Sequence, residues 1–137
     1  DVTNRVLEAL TQAETSIAAI EQTTRDIRNA ELNSRLRRIV ALARRILTLL
    51  EEDPRDLRRA RKFLNVYLDG AKQGTEGYAK TRGRVAMPEL EDNFRRVLAT
   101  IEEVFQEQQQ KLLEADVTDL DVQIEVLTTQ LKREGVI

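Results

Sequence analysis

Residues 116–121, "DVTDLD", hold three carboxylates, Asp116, Asp119 and Asp121, and Glu125 lies one helical turn beyond the last. Side chains of this type at this density suit a hard cation such as Mg²⁺ or Ca²⁺. A calcium loop that starts at Asp116 needs Gly at its sixth position, where Asp121 stands, and the residues that follow read as helix. The alternative is that the three aspartates cap and complement the positive end of a helix. A second cluster, Arg58, Arg59, Arg61 and Lys62, could cradle an anion, with Asn65 and Tyr67 near enough in sequence to orient it. Its bland alternative has Arg58 and Arg61 paired with acids of later helices and Asn65 bonded locally. A third stretch, "FLNVYLDGAKQGTEGYAK" (63–80), concentrates Gly70, Gly74 and Gly77. A phosphate loop would follow a strand and end in a Lys–Ser/Thr pair, and neither feature is present. The i, i+4, i+7 spacing instead predicts a continuous but locally weak helix with one bare face.

The rest of the composition narrows the chemistry. The chain has 137 residues with no Cys and no His, so disulfides, thiolate metal sites, cysteine nucleophiles and histidine bases are all excluded. No cofactor is expected. The net charge of −2 conceals an asymmetry. Residues 25–62 carry 12 Lys/Arg against 6 Asp/Glu, a net of +6, and residues 86–137 carry 5 against 12, a net of −7. Basic helices packed beside acidic ones explain this, and so does an anion- or acidic-lipid-binding face. Nucleic-acid binding is not expected, because no motif is present and aromatic residues do not interleave with the basic ones. No apolar run approaches the length of a membrane span, and no signal peptide is visible. The expected location is the cytoplasm. The chain begins at Asp1 without Met, so membrane association through an upstream segment stays open.

The elements that must position these residues are helices. With 41% apolar residues, two prolines and five glycines, the chain has little material for turns. Val6, Leu10, Ala13, Ile17, Ile20, Thr24 and Ile27 step by four and three, which predicts a helix over 3–28. The phase breaks at Asn29, a residue able to end one helix or cap the next. Leu32, Leu36, Ile39, Ala43, Ile46 and Leu50 predict a helix over 31–52. Asp53-Pro54 marks a boundary and opens a third helix over 54–81. "KTRGRVAMPEL" reads as a loop. Leu90, Phe94, Val97, Ile101, Val104 and Gln108 continue into a helix over 88–115, and Leu120, Ile124, Leu127 and Leu131 into one over 118–134, capped by Asp116 or Thr118. Gly135 then supplies a stop. The prediction is an all-α bundle of four to five long antiparallel helices with heptad-like packing, in one domain over 1–137.

Two segments resemble a known family. "RRARKFLNVYL" (58–68) is similar to the Arg-rich FLN-x-YL signature of the bacterial 5-bromo-4-chloroindolyl phosphate hydrolysis (XpaC-like) proteins, and "DVTDLDVQIEVLTTQLKREGV" (116–136) to that family's DLD-x-x-I-x-VL ending. The resemblance covers about 25–136. After Leu68 many relatives have Pro-Thr where this chain has Asp69-Gly70. The resemblance implies a helical protein that often accompanies a toxic-anion (tellurite) resistance protein, which is the implied partner. The family's name comes from a phenotype and leaves open whether the protein is itself the phosphatase. The favoured reading is a non-enzymatic interaction or scaffold module, with its oligomeric state left open. The alternatives are a phosphate-monoester hydrolase and an anionic-surface binder. The two resembling segments, opposite in charge and matched in apolar pattern, are expected to face each other. In that arrangement Arg58 or Arg61 lies near Asp119 or Asp121, and Leu64, Leu68, Leu120 and Ile124 share one core layer.

Overall fold

In the computed structural model the heptad stripes form five helices, α1 (Val2–Thr24), α2 (Ala30–Glu52), α3 (Leu57–Lys80), α4 (Pro88–Leu113) and α5 (Leu120–Arg133). The structure describes residues 2–52, 57–81, 88–114, 116 and 118–135. The fold is an all-α bundle, with no strand among the described residues. The Asp53-Pro54 boundary and most of the "KTRGRVAMPEL" loop lie outside the described residues.

Consecutive helices run antiparallel, yet the square of α1–α4 is closed by parallel neighbours. α1 lies beside α3, and α2 beside α4. Arg95 reaches Glu31 at 2.9 Å and Arg38 reaches Glu102 at 2.9 Å, so the α2–α4 pairs advance together along both helices. α3 and α4 pack in opposite directions, Phe63 meeting Phe105 and Tyr78 meeting Phe94. α5 lies on α3 and α4. The stripe of α2 is wholly buried, from Leu32 to Leu50. It meets Phe94, Val97, Leu98, Ile101 and Phe105 of α4, together with Ile17, Ile20, Leu64 and Leu68, in one core. Each such side chain stabilises the fold by roughly 1.5–3 kcal/mol through its removal from water.

The helix ends show local chemistry at work. α1 ends at Thr24, short of the predicted residue 28. The Thr23 and Thr24 hydroxyls donate back to the Ala19 and Ile20 carbonyls, and the Asp26 and Ile27 amides close three-residue turns onto Thr23 and Thr24. Asn29 then caps α2, its Oδ1 accepting the Leu32 amide at 3.1 Å. The predicted cap of α5 is corrected. Asp116 forms a turn on Thr118, accepting its amide at 3.1 Å and its hydroxyl at 2.8 Å, and Asp119 occupies the N-cap position without a side-chain cap bond. α5 stops at Gly135, whose φ of +70° is the left-handed conformation that suits glycine.

α3 continues through all three glycines. A Cβ at Gly70 would meet Leu131 Cδ1 at 2.9 Å and Leu127 Cδ2 at 3.7 Å, so the bare face is where α5 approaches. Gly77 is exposed, with nothing described within 4 Å of the same test position.

Candidate functional site

The two motif-bearing segments meet where α5 crosses α3 and the end of α4. Tyr67 is fully buried and stacks on Phe63, one turn earlier in α3, with ring centres 4.5 Å apart and planes within 3°. Phe105 of α4 closes the cluster at 5.6 Å from Tyr67. The Tyr67 hydroxyl donates to the Gln123 carbonyl at 2.9 Å, tying the FLN-x-YL segment directly to the first turn of α5. Burial pushes the phenol pKa well above its ordinary value, and the Asp119 and Glu107 charges add to this, so Tyr67 acts as a neutral donor.

Asp119 anchors the other side. Gln108, 1% exposed, donates through Nε2 to both Asp119 oxygens, at 3.1 and 3.3 Å. The Lys111 ammonium bonds the same carboxylate and also reaches Glu107 at 3.1 Å. Burial pushes the Asp119 carboxyl up, but Lys111 and Gln108 together outweigh it and hold the group below the ordinary carboxylate range. The Lys111 pKa is raised by Asp119 and then Glu107. Chemically this is a clamp. The phenol is protonated and engaged, the ammonium is shared by two carboxylates, and the carboxylate has three donor contacts.

Of the expected charge pairing, the Arg61 arm falls on described side chains and the Arg58 arm does not. The described cation on Asp119 is Lys111, a near neighbour in sequence, and Arg61 makes no ion pair among the described residues. The side chains of Arg58 and Arg59 lie outside the described residues. Leu64, Leu68 and Leu120 are buried, and Ile124 packs partly buried against the same core. Of the proposed anion surface, Arg61 is half-exposed and Lys62 exposed, but Tyr67 belongs to the core. Asn65 donates to Gln12 Oε1 of α1 at 3.3 Å instead of bonding locally, and lines an open groove of about 520 Å³ between α1 and α3. Asp116, Asp121 and Glu125 are exposed, and no group of acidic side chains among the described residues is arranged to hold a metal ion.

Sequence reasoning missed several residues. Gln108 and Lys111 were legible only as a polar residue on the α4 stripe and a lone cation in an acidic region. At the other end of α3 a second polar junction forms. Glu91 Oε1 accepts from Tyr78 at 2.9 Å and Asn29 at 3.0 Å, and Arg95 links Glu91 to Glu31. Two surfaces also stand out. On α5, Val122 and Val126 are 58% and 49% exposed, one turn apart and off the buried stripe of Leu120, Leu127 and Leu131. Between α1 and α2, Arg25, Arg37 and Arg44 surround an open groove of about 520 Å³.

No helix of the described residues is long and apolar enough to cross a membrane. No curated protein and no solved structure matches the chain. A family model does, over residues 2–127, taking in α1, the 58–68 segment and the DLD-x-x-I-x-VL part of the second segment, and stopping within α5. That match spans most of the chain, which therefore belongs to the family described as 5-bromo-4-chloroindolyl phosphate hydrolysis protein.

Proposed function

We propose that the chain is a helical interaction module that docks a protein partner through the outer face of α5. The observation that carries this reading is the exposure of Val122 and Val126 on the helix that bears the DLD-x-x-I-x-VL motif. Two aliphatic side chains a turn apart form a stripe that a partner helix or groove would cover. The inner side of the same helix is held by the Tyr67 and Asp119 contacts, so the outer face is presented on a fixed support.

Phosphate-ester hydrolysis, taken from the family description, is the competing reading. With no Cys or His, it would rest on carboxylates, hydroxyls and arginines alone. Purified protein assayed on an aryl phosphate with and without Mg²⁺ separates the two, and the interaction reading expects no turnover above buffer. A photo-crosslinking residue at position 126 is expected to give a discrete protein adduct in cells, and one at exposed Gln73 none. Mg²⁺-dependent turnover that disappears in Asp121→Ala overturns the reading.

A further inference from the structure

The α5 face has a complement on the same molecule. The groove between α1 and α2 is floored by Val40 and Ala41 and rimmed by Arg25, Arg37 and Arg44, with Glu21 as its one acidic lining residue. Arg44 is already engaged, bonding Glu21 at 2.9 Å with Glu14 at 3.7 Å. Arg25 bonds the Gln22 amide oxygen at 3.3 Å and lies near enough to Glu21 to help lower its pKa, and neither Arg25 nor exposed Arg37 makes an ion pair among the described residues. Three guanidinium groups and the single Glu21 carboxylate therefore border the floor, which leaves the rim net positive. On α5, Glu125 stands exposed between Val122 and Val126 and forms no ion pair among the described residues. One surface offers two valines around an acid; the other offers a small apolar floor between cations.

We propose that a second copy of this chain inserts its α5 face into the α1–α2 groove of the first. The proposal rests on the interaction reading above and names the partner. α5 lies on α3 and α4, so the donor face and the receiving groove are different patches. Such a contact is heterologous, and because each copy keeps one free groove and one free face, association continues head to tail instead of stopping at a two-fold dimer. The pairing is small and charge-assisted, which places it among weak, salt-sensitive interfaces.

Sedimentation equilibrium over a protein concentration series tests this. At low salt the weight-average mass is expected to rise past twice the 15.7 kDa of the single chain, and at high salt to return to it. Arg37→Glu removes the groove, and Val126→Glu or Glu125→Arg removes the face. All three positions are exposed, so helical circular dichroism is expected to be unchanged. Each variant alone is expected to stay monomeric. An equimolar mixture of Arg37→Glu and Val126→Glu retains one intact face and one intact groove, and is expected to stop at the heterodimer. A monomer at every concentration and salt, a dimer that none of the substitutions disturbs, or a mixture that stays monomeric each overturns the proposal. So does Arg37-dependent binding to anionic vesicles or single-stranded DNA without self-association. None of these results touches the hydrolysis assay, which decides the underlying reading separately.

Discussion

Tyr67 and Tyr78 sit on the same helix, each stacked on a phenylalanine and each donating its hydroxyl at 2.9 Å, yet they solve different problems. Tyr67 is fully buried and donates its hydroxyl hydrogen bond to a neutral backbone carbonyl, while the Asp119 carboxylate is held by Gln108 and Lys111. Tyr78 is half-buried and donates straight to the Glu91 carboxylate. The difference follows from the cost of desolvation. A carbonyl loses little on burial if one donor meets it, whereas a carboxylate needs water or several donors. A charge therefore meets the phenol directly at the Tyr78 junction and stands one residue back at the more deeply buried Tyr67.

The largest test of this contrast is deletion of each ring. Tyr67→Ala removes the centre of the Phe63–Tyr67–Phe105 cluster and is expected to cost about 3–5 kcal/mol. Tyr78→Ala, at a partly exposed site, is expected to cost about 1–2 kcal/mol. Urea unfolding of both variants measures the difference, and equal losses would remove the distinction between the junctions.

Removing only the hydroxyls is finer. Tyr67→Phe leaves the Gln123 carbonyl without this donor, and is expected to cost about 0.5–1.5 kcal/mol. Tyr78→Phe leaves Glu91 with Asn29, Arg95 and solvent, and is expected to fall below about 0.5 kcal/mol. The loss at Tyr67 should concentrate in α5, read as faster amide exchange there than in α2.

What the sequence made legible was local. The α2 stripe from Leu32 to Leu50 is buried at each predicted position because heptad spacing is a property of one helix. The helix ends at Thr24 and Leu120 were misplaced because they depend on side-chain bonds to nearby backbone, from Thr23, Thr24 and Asp116, that periodicity does not record. The parallel seating of α2 beside α4 was invisible, since the Glu31–Arg95 and Arg38–Glu102 pairs join residues far apart in the chain. The expectation that α3 and α5 face each other is met in their packing, while the Arg58 side of the expected ion pairing lies outside the described residues. Lys111, at the end of α4, reaches Asp119 across the turn between the helices. The valines of α5 were missed because a stripe analysis follows the buried face and ignores what is left outside it.

Glycine separates the two junctions by a smaller effect. Gly77→Ala places a methyl group in open space on a helix and is expected to stabilise by about 1 kcal/mol. Gly70→Ala has the same gain in helix propensity, but its Cβ would fall 2.9 Å from Leu131 Cδ1, a buried side chain that must move. It is expected to forfeit that gain and to loosen α5. Thermal unfolding of the two variants gives the comparison, and a Gly70→Ala chain as stabilised as Gly77→Ala would show that Leu131 yields without cost.

The smallest expected effect is a shift in titration. Asp119 and Glu31 both lie below the ordinary carboxylate range in the fold, for different reasons. At Asp119 burial pushes the pKa up, and Lys111 with Gln108 pulls it further down. At Glu31 the bonds from Arg95 and Arg35 dominate. A depressed folded pKa contributes stability above the unfolded value, and that contribution is lost as pH falls through the folded value. Both junctions are therefore expected to weaken in acid below the ordinary carboxylate range. Lys111→Met removes the cation from Asp119 and leaves the burial, so the Asp119 pKa is expected to rise and its contribution to be lost at a higher pH. Glu31, bonded elsewhere, is expected to keep its midpoint. Carboxyl-carbon NMR titration reads both groups in one sample. A rise at Asp119 alone places its control in the Lys111 contact, whereas an unmoved Asp119 would leave Gln108 as the group that holds it down.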